Sequence, residues 1–76
     1  MDINEFIEHF AELFEDTDVA EFKAETKFHD LDEWSSLMAL NIIAMVDEEY
    51  EVTIKGNDIG KAITIQELFD IIKSKK

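Results

Sequence analysis

The chain has 76 residues, with nineteen acidic residues against seven lysines, and it contains no arginine, proline or cysteine. Its formal net charge of -12 at pH 7 excludes nucleic acids and anionic membrane surfaces as favoured partners, because like charges repel. A chain this short is expected to form a single domain over residues 1–76, without a second core or a conventional active-site cleft.

The negative charge is concentrated in the first two thirds of the chain. Residues 1–54 carry sixteen acids and two lysines, whereas residues 55–76 carry three acids and five lysines. Such a surface supports solubility and attracts proteins with basic patches, with a strong dependence on salt. It also opposes self-association, which predicts a monomer. The sequence shows neither a charged-then-apolar leader nor a long apolar run, which predicts a cytoplasmic protein without a membrane span.

The first predicted element is an amphipathic helix over residues 3–14. Apolar side chains recur there at steps of three and four, and we interpret this aromatic-rich stripe as core: Ile3, Phe6, Ile7, Phe10, Leu13 and Phe14. Asp2 precedes the stripe and is the expected N-cap.

Helical periodicity is then lost between residues 15 and 35. This segment predicts a long loop whose apolar anchors are Val19, Phe22, Phe28 and Leu31. A loop of about twenty residues is unusual inside a compact domain unless it is functional.

The second helix is predicted over residues 37–50, because Ile42, Val46 and Tyr50 recur every four residues. Ser35 is its expected N-cap, which places Ser36 in the first turn.

Two further helical segments are predicted after residue 54. A short turn over residues 58–61 is bracketed by Gly56 and Gly60, and a last helix begins at Thr64, where Thr64 and Glu67 have the spacing of a capping box. The buried face predicted for this last helix is Ile65, Leu68, Phe69 and Ile72. The predicted fold class is therefore all-α: a small bundle of three main helices and one short helix, with a long loop between helices 1 and 2.

The sequence offers little support for catalysis by the chain itself. His9 and His29 belong to no recognisable Ser–His–acid series, and two histidines without other soft ligands make no zinc site. Residues 16–18 and 30–33 hold closely spaced carboxylates, but they lack the glycine and glutamate that a calcium-binding loop requires at its sixth and twelfth positions. We expect a protein that is not an enzyme and has no metal site, with a calcium-binding bundle as a distant alternative.

The pair Ser35-Ser36 raises the possibility of covalent attachment. A side chain in the first turn of a helix lies among unpaired N–H groups at the positive end of the dipole, where a phosphate is favourably placed. The local sequence alone favours the simpler interpretation, that both serines are only capping residues. The long loop that leads to the site and the acidic residues later in the same helix favour the attachment hypothesis.

Residues 31–54, LDEWSSLMALNIIAMVDEEYEVTI, resemble the aspartate-serine-leucine motif and the acidic recognition helix of acyl carrier proteins. Residues 54–72, IKGNDIGKAITIQELFDII, resemble the third and fourth helices of that family. The resemblance covers nearly the whole chain. It implies that Ser36, or with less support Ser35, carries 4'-phosphopantetheine from coenzyme A. The thiol of that group would hold acyl groups as thioesters for fatty-acid or specialised lipid or polyketide-type biosynthesis.

The resemblance also implies partners: a phosphopantetheinyl transferase, and acyl-transferring, ligase or synthase enzymes with basic patches. The family's aspartate before the serine is replaced here by Ser35, and Asp32 and Glu33 are expected to substitute for its charge. The second helix is expected to present an outward strip that includes Ala44 and is more apolar than is typical of the family. The predicted docking residues are Met38, Asn41, Met45, Asp47 and Glu48.

Four apolar residues near the second and third helices are candidates for lining an acyl chain, although core packing explains them equally well: Leu40, Ile54, Ile59 and Ile63. Trp34 either shields the base of the arm or anchors the loop. Two alternatives to an acyl carrier stay open. One is an aminoacyl, D-alanyl or peptidyl carrier. The other, from a different class, is an unmodified acidic helical adaptor that binds a basic partner protein.

Overall fold

The computed structural model describes residues 2–76, and in that range it contains four α-helices and no strand. The helices are α1 (Ile3–Glu12), α2 (Ser36–Tyr50), α3 (Gly56–Lys61) and α4 (Ile65–Lys75). Two short 3-10 turns, Val19–Glu21 and Phe28–Asp30, lie in the loop between α1 and α2. The predicted all-α class, with three long helices and one short one, is confirmed.

The first helix begins where the sequence predicts and ends two residues earlier. The Asp2 carboxylate accepts the N–H of Asn4 at 3.0 Å, which confirms Asp2 as the N-cap. At the other end the N–H groups of Leu13 and Phe14 turn back to the carbonyls of Phe10 and Ala11, at 3.2 and 3.0 Å. These tighter i to i+3 bonds end the α-helix at Glu12, as is common in last turns.

Phenylalanine rings build the centre of the core. Phe10 is fully buried, and its ring centroid lies between 5.4 and 6.0 Å from four other phenylalanine rings, those of Phe6, Phe14, Phe22 and Phe28. Phe6 lies in α1 and Phe14 just after its end, whereas Phe22 and Phe28 lie in the loop. The loop is therefore part of the core, which is why a connection this long stays packed against the helices.

Of the predicted loop anchors, Phe22 and Phe28 are buried and Leu31 is half-buried. The prediction that Val19 is an anchor is wrong, because 68% of its surface is exposed. Val19 opens a 3-10 turn that the Asp18 carboxylate caps, accepting the N–H of Ala20 at 3.0 Å.

The loop is also held by backbone hydrogen bonds to the start of α4. The N–H of Ile65 donates to the carbonyl of Thr26 at 3.1 Å, and the N–H of Gln66 donates to that of Ala24 at 2.9 Å. The first N–H groups of a helix have no partner inside the helix. The loop supplies acceptors for two of them, so the start of α4 and the middle of the loop stabilise each other.

The second half of the chain follows the predicted cap chemistry with small shifts. α2 begins at Ser36, one residue before its predicted start, and ends at Tyr50 as predicted. Its C-cap, Glu51, takes a left-handed conformation with φ 56°. α3 begins at Gly56, so both glycines lie inside it and do not bracket it. The reason is that Asp58 accepts the N–H of Lys55 at 3.0 Å, which makes Lys55 the N-cap.

The start of the last helix is as predicted. The hydroxyl of Thr64 accepts the N–H of Glu67 at 3.2 Å, and the Glu67 carboxylate accepts the N–H of Ile63 at 3.1 Å. All four residues predicted for the inner face of α4 are buried, namely Ile65, Leu68, Phe69 and Ile72.

Candidate functional site

Ser36 is the first residue of α2, and its side chain is exposed. Ser35 precedes it as the N-cap, in an extended conformation, and its hydroxyl accepts the N–H of Met38 at 3.4 Å. Within residues 2–76 the Ser36 hydroxyl and the N–H groups of Ser36 and Leu37 make no hydrogen bond to the protein. The two serines therefore differ: one is used for capping, and the other is available at the positive end of a 15-residue helix.

These groups suit a phosphate ester on Ser36. Unpaired N–H groups in the first turn of a helix favour negative charge. The Ser36 hydroxyl is already exposed, so the chain does not have to unfold for it to be modified. Ser35 is less suited, because modification of its oxygen would compete with its capping bond.

The two acids expected to replace the missing aspartate behave differently from each other. Asp32 is exposed, whereas Glu33 is half-buried and uses one oxygen to accept the N–H of Asp16 at 2.8 Å and the hydroxyl of Thr17 at 2.6 Å. Glu33 therefore fastens the end of the long loop to its beginning. Among the described residues, no three His, Cys, Asp or Glu side chains come together as a metal ion would require.

The predicted docking residues do not all lie on the outer face of α2. Met38 and Met45 are only 9% and 8% exposed. Their prediction as outward residues is wrong, since they pack in the core beside Ile42. Helical spacing in the sequence already indicated that Met38 is buried, because it lies four residues before Ile42 and therefore on the same face of α2.

The outer face of α2 carries two leucines that the docking prediction missed. Leu37 is 65% exposed and Leu40 is 62% exposed. Ala44, Asp47 and Glu48 are also exposed and continue the same face by helical spacing, so that apolar residues lie next to Ser36 and acids lie farther along. We call these five residues the outer strip.

Asn41 is half-buried at the edge of the outer strip. Together with Met45 and Glu48 it lines a groove of about 320 Å³ between α1 and α2, the rest of which is formed by His9, Glu12, Leu13, Ala44 and Glu49. His9 lies across the groove from α2, with its Nε2 3.8 Å from a carboxylate oxygen of Glu49.

The four candidates for lining an acyl chain divide into two pairs. Ile54 and Ile59 are buried in the core, at 1% and 2% exposed. Leu40 and Ile63 are on the surface, at 62% and 55% exposed. The four therefore do not form one interior surface in this conformation.

Trp34 and His29 pack together just before the two serines. The Trp34 ring centroid lies 5.1 Å from that of Phe28 and 4.9 Å from that of His29. Trp34 is half-buried in these contacts, as expected of a loop anchor. His29 is exposed overall, yet its Nε2 lies 3.0 Å from the carbonyl oxygen of Ile59 and 3.1 Å from that of Ala62. Sequence reasoning missed this link, because its partners are about thirty residues away and are backbone atoms.

Two titratable groups away from Ser36 have shifted pKa values. Burial raises the pKa of the Tyr50 phenol, with smaller contributions from nearby carboxylates, and within residues 2–76 its hydroxyl finds no hydrogen-bond partner. The pKa of Asp58 is lowered from its ordinary value of 3.8, chiefly by the hydrogen bond from the N–H of Lys55 and further by the charges of Lys75 and Lys61. The Asp58 carboxylate lies 3.6 Å from the Lys75 ammonium.

Because the pKa of Asp58 is lower in the folded state than the ordinary value of 3.8, ionised Asp58 stabilises the fold above that value, and the contribution disappears as the pH falls through the folded-state pKa. Asp58→Asn keeps an acceptor for the Lys55 N–H but loses the charge. We expect the difference in unfolding free energy between the wild type and this variant to be constant above about pH 5 and to shrink below it. Urea denaturation at a series of pH values measures this difference in unfolding free energy.

Asp70→Asn is the matched control, because Asp70 forms an exposed ion pair with Lys73. An Asp58→Asn difference that is the same at pH 3 and pH 7 would contradict the assignment.

The fold and the site together define a small, acidic, all-helical domain that presents an exposed serine at the start of its longest helix. No family model, curated protein or solved structure matches this chain. None of the helices in residues 2–76 is long and apolar enough to cross a membrane.

Proposed function

We propose that the chain is an acyl carrier protein and that Ser36 is the attachment point for 4'-phosphopantetheine. The observation that supports this most is the contrast between the two serines: Ser35 caps α2, while the Ser36 hydroxyl is exposed and free of hydrogen bonds within the described residues. The resemblance of residues 31–72 to the family's motif and helices agrees with this placement.

In this proposal the chain is a substrate and carrier, not a catalyst, and it acts in the cytoplasm as a monomer. The Ser36 oxygen attacks the phosphorus on the pantetheine side of coenzyme A, so that a Ser36 O–P bond forms while the P–O bond of the pyrophosphate breaks and adenosine 3',5'-bisphosphate leaves. The proton of the hydroxyl passes to a base that the phosphopantetheinyl transferase provides. The unpaired N–H groups of Ser36 and Leu37 favour the negative charge that is then present at the start of α2. When bound, the group supplies a thiol that holds acyl chains as thioesters, a function that the cysteine-free chain could not provide itself.

The outer strip of α2 is the proposed docking surface for the transferase and for acyl-transferring, ligase or synthase enzymes. Leu37 and Leu40 lie next to Ser36 and supply apolar contact area, and Asp47 and Glu48 supply charge. Apolar anchors contribute most to affinity, while charges at the rim mainly raise the rate of encounter. Partners are therefore expected to carry a small apolar pocket bordered by basic residues.

The test is the intact mass of the protein after incubation with coenzyme A, magnesium and a broad-specificity phosphopantetheinyl transferase. Wild type and Ser35→Ala are expected to gain the mass of one phosphopantetheine, and Ser36→Ala is expected to gain none. Ser35→Ala loses its cap, at a cost of about 1 kcal/mol, so circular dichroism must show that each variant is folded. Loading that survives in Ser36→Ala and disappears in Ser35→Ala would move the site to Ser35.

Failure of the folded wild type to gain mass with several transferases would favour the second candidate, an unmodified acidic adaptor. The exposed leucines on an acidic helix support that candidate as well, since they would serve a basic partner without any attached group. If loading succeeds, the acyl, aminoacyl, D-alanyl or peptidyl nature of the cargo is identified from the group found on the loaded protein.

A further inference from the structure

A histidine in the α1–α2 loop connects the end of α3 to the segment that leads into Ser36. The Nε2 of His29 lies 3.0 Å from the carbonyl oxygen of Ile59 and 3.1 Å from that of Ala62. Because both partners are acceptors, His29 must carry a proton on Nε2 and donate it. A single side chain therefore spans elements that are 30 and 33 residues apart in sequence.

The carbonyls that His29 binds are ones that α3 leaves without a partner. In a continuing helix the N–H of Ile63 would donate to the carbonyl of Ile59, but it donates instead to the Glu67 carboxylate at 3.1 Å. The last carbonyls of any helix need a hydrogen-bond donor from outside it, and α3 has only six residues. The turn into α4 directs the Ile63 N–H away from the end of α3, and His29 supplies the missing donor to these carbonyls.

The ring of His29 packs on the aromatic residues that precede α2. Its centroid lies 4.4 Å from that of Phe28 and 4.9 Å from that of Trp34. Trp34 is further held by its backbone N–H, which donates to the carbonyl of Leu31 at 2.9 Å, and it is followed directly by Ser35. A continuous series of contacts therefore runs from the end of α3 through His29 and Trp34 to the N-cap of α2.

We infer that His29 is a positioning residue for the modification of Ser36. It ties the end of α3 to the end of the loop and so holds the backbone before Ser36 in the arrangement that the phosphopantetheinyl transferase requires. It acts through Trp34 and Ser35 and not by contact with the reacting hydroxyl. This inference rests on the proposed function of Ser36.

Three variants separate this role from a general effect on stability. His29→Ala removes both hydrogen bonds and the ring contacts. His29→Gln keeps an amide N–H donor at a similar reach from the backbone, so it is the conservative replacement. Ile72→Val removes one methylene group from a fully buried side chain in α4, so it is the control for a modest loss of stability away from Ser36.

The first measurement is the steady-state rate of loading by the transferase, with kcat and KM determined for each variant as substrate. His29→Ala is expected to lower kcat/KM by about tenfold, mainly through kcat, because a misplaced nucleophile reacts slowly even when the docking surface is intact. His29→Gln should recover most of the loss, and Ile72→Val should load like the wild type.

The second measurement needs no loading. Trp34 is the only tryptophan, so quenching of its fluorescence by acrylamide reports how well the segment before Ser35 is held. His29→Ala is expected to raise the quenching constant, while His29→Gln and Ile72→Val leave it near the wild-type value. Unchanged quenching in His29→Ala would overturn the link between His29 and Trp34.

The two ways of failing are distinguishable. If the wild type is loaded and His29→Ala loads no more slowly than Ile72→Val, the positioning role is wrong and the carrier function stands. If the folded wild type is never loaded, the carrier function is wrong and the positioning role falls with it, whatever the quenching shows.

Discussion

Phe10→Ala is expected to lower the free energy of unfolding by about 3–5 kcal/mol, the largest effect of any substitution considered for this chain. Phe10 is fully buried, and four other phenylalanine rings lie within 6.0 Å of its ring centroid. Removing it takes away contacts with both α1 and the long loop, and the surrounding rings cannot close the cavity without shifting the loop. A domain of this size is stable by only about 4–11 kcal/mol, so the variant should be close to unfolding at 25 °C.

Urea denaturation followed by circular dichroism measures this loss. Phe10→Leu is the matched control, because it keeps much of the apolar volume and should retain most of the stability. A loss in Phe10→Ala of less than about 1 kcal/mol, the level of an average substitution, would show that the loop does not depend on this ring.

Neighbouring residues at the start of α2 are expected to have opposite roles. Met38 is buried, so Met38→Ala should lower the free energy of unfolding by about 2 kcal/mol, the lower end of the range for such truncations. Leu37 is 65% exposed, so Leu37→Ala should change it by no more than about 0.5 kcal/mol. Binding to the transferase should show the reverse order, with Leu37→Ala weakening it by about tenfold, as expected for an apolar anchor beside the reacting serine.

Denaturation curves and titrations of the transferase against an unloadable Ser36→Ala background measure the two quantities separately. Met38→Leu, which nearly conserves volume, is the control for the stability effect. If Leu37→Ala binds as tightly as its parent, the outer strip is not the docking surface. If Met38→Ala unfolds like the wild type, the burial of Met38 does not contribute to the fold.

The parts of the fold that follow from near neighbours in sequence were predictable. The caps at Asp2, Ser35 and Thr64 are local, because each side chain bonds an N–H two or three residues away. The inner face of α4 is likewise a matter of helical spacing. The same rule places Met38 inside α2, and the docking prediction failed there because it followed the expected outward strip and not the spacing of the core residues.

The loop and the surroundings of Ser36 depended on long-range contacts. Val19 is as apolar as many anchors, yet it is exposed because Asp18 caps a turn that directs it outward. The sequence indicated that the charge of Glu33 is available to a partner protein, yet its carboxylate accepts hydrogen bonds from Asp16 and Thr17 of the same chain. Apolarity and charge do not reveal which neighbour a loop residue will meet.

The amino-acid sequence alone predicted the all-helical class, the acidic surface, and the position of Ser36 one residue after a cap. These features depend on periodicity, composition and the hydrogen bonding of nearby residues. Only the packed chain shows that Leu37 and Leu40 face outward beside Ser36, that Met45 faces inward, and that His29 bonds to the end of α3. Those features arise where segments some thirty residues apart meet. Their geometry is selected by the shared core and by the need of buried or terminal backbone groups for partners, and neither can be calculated from one segment by itself.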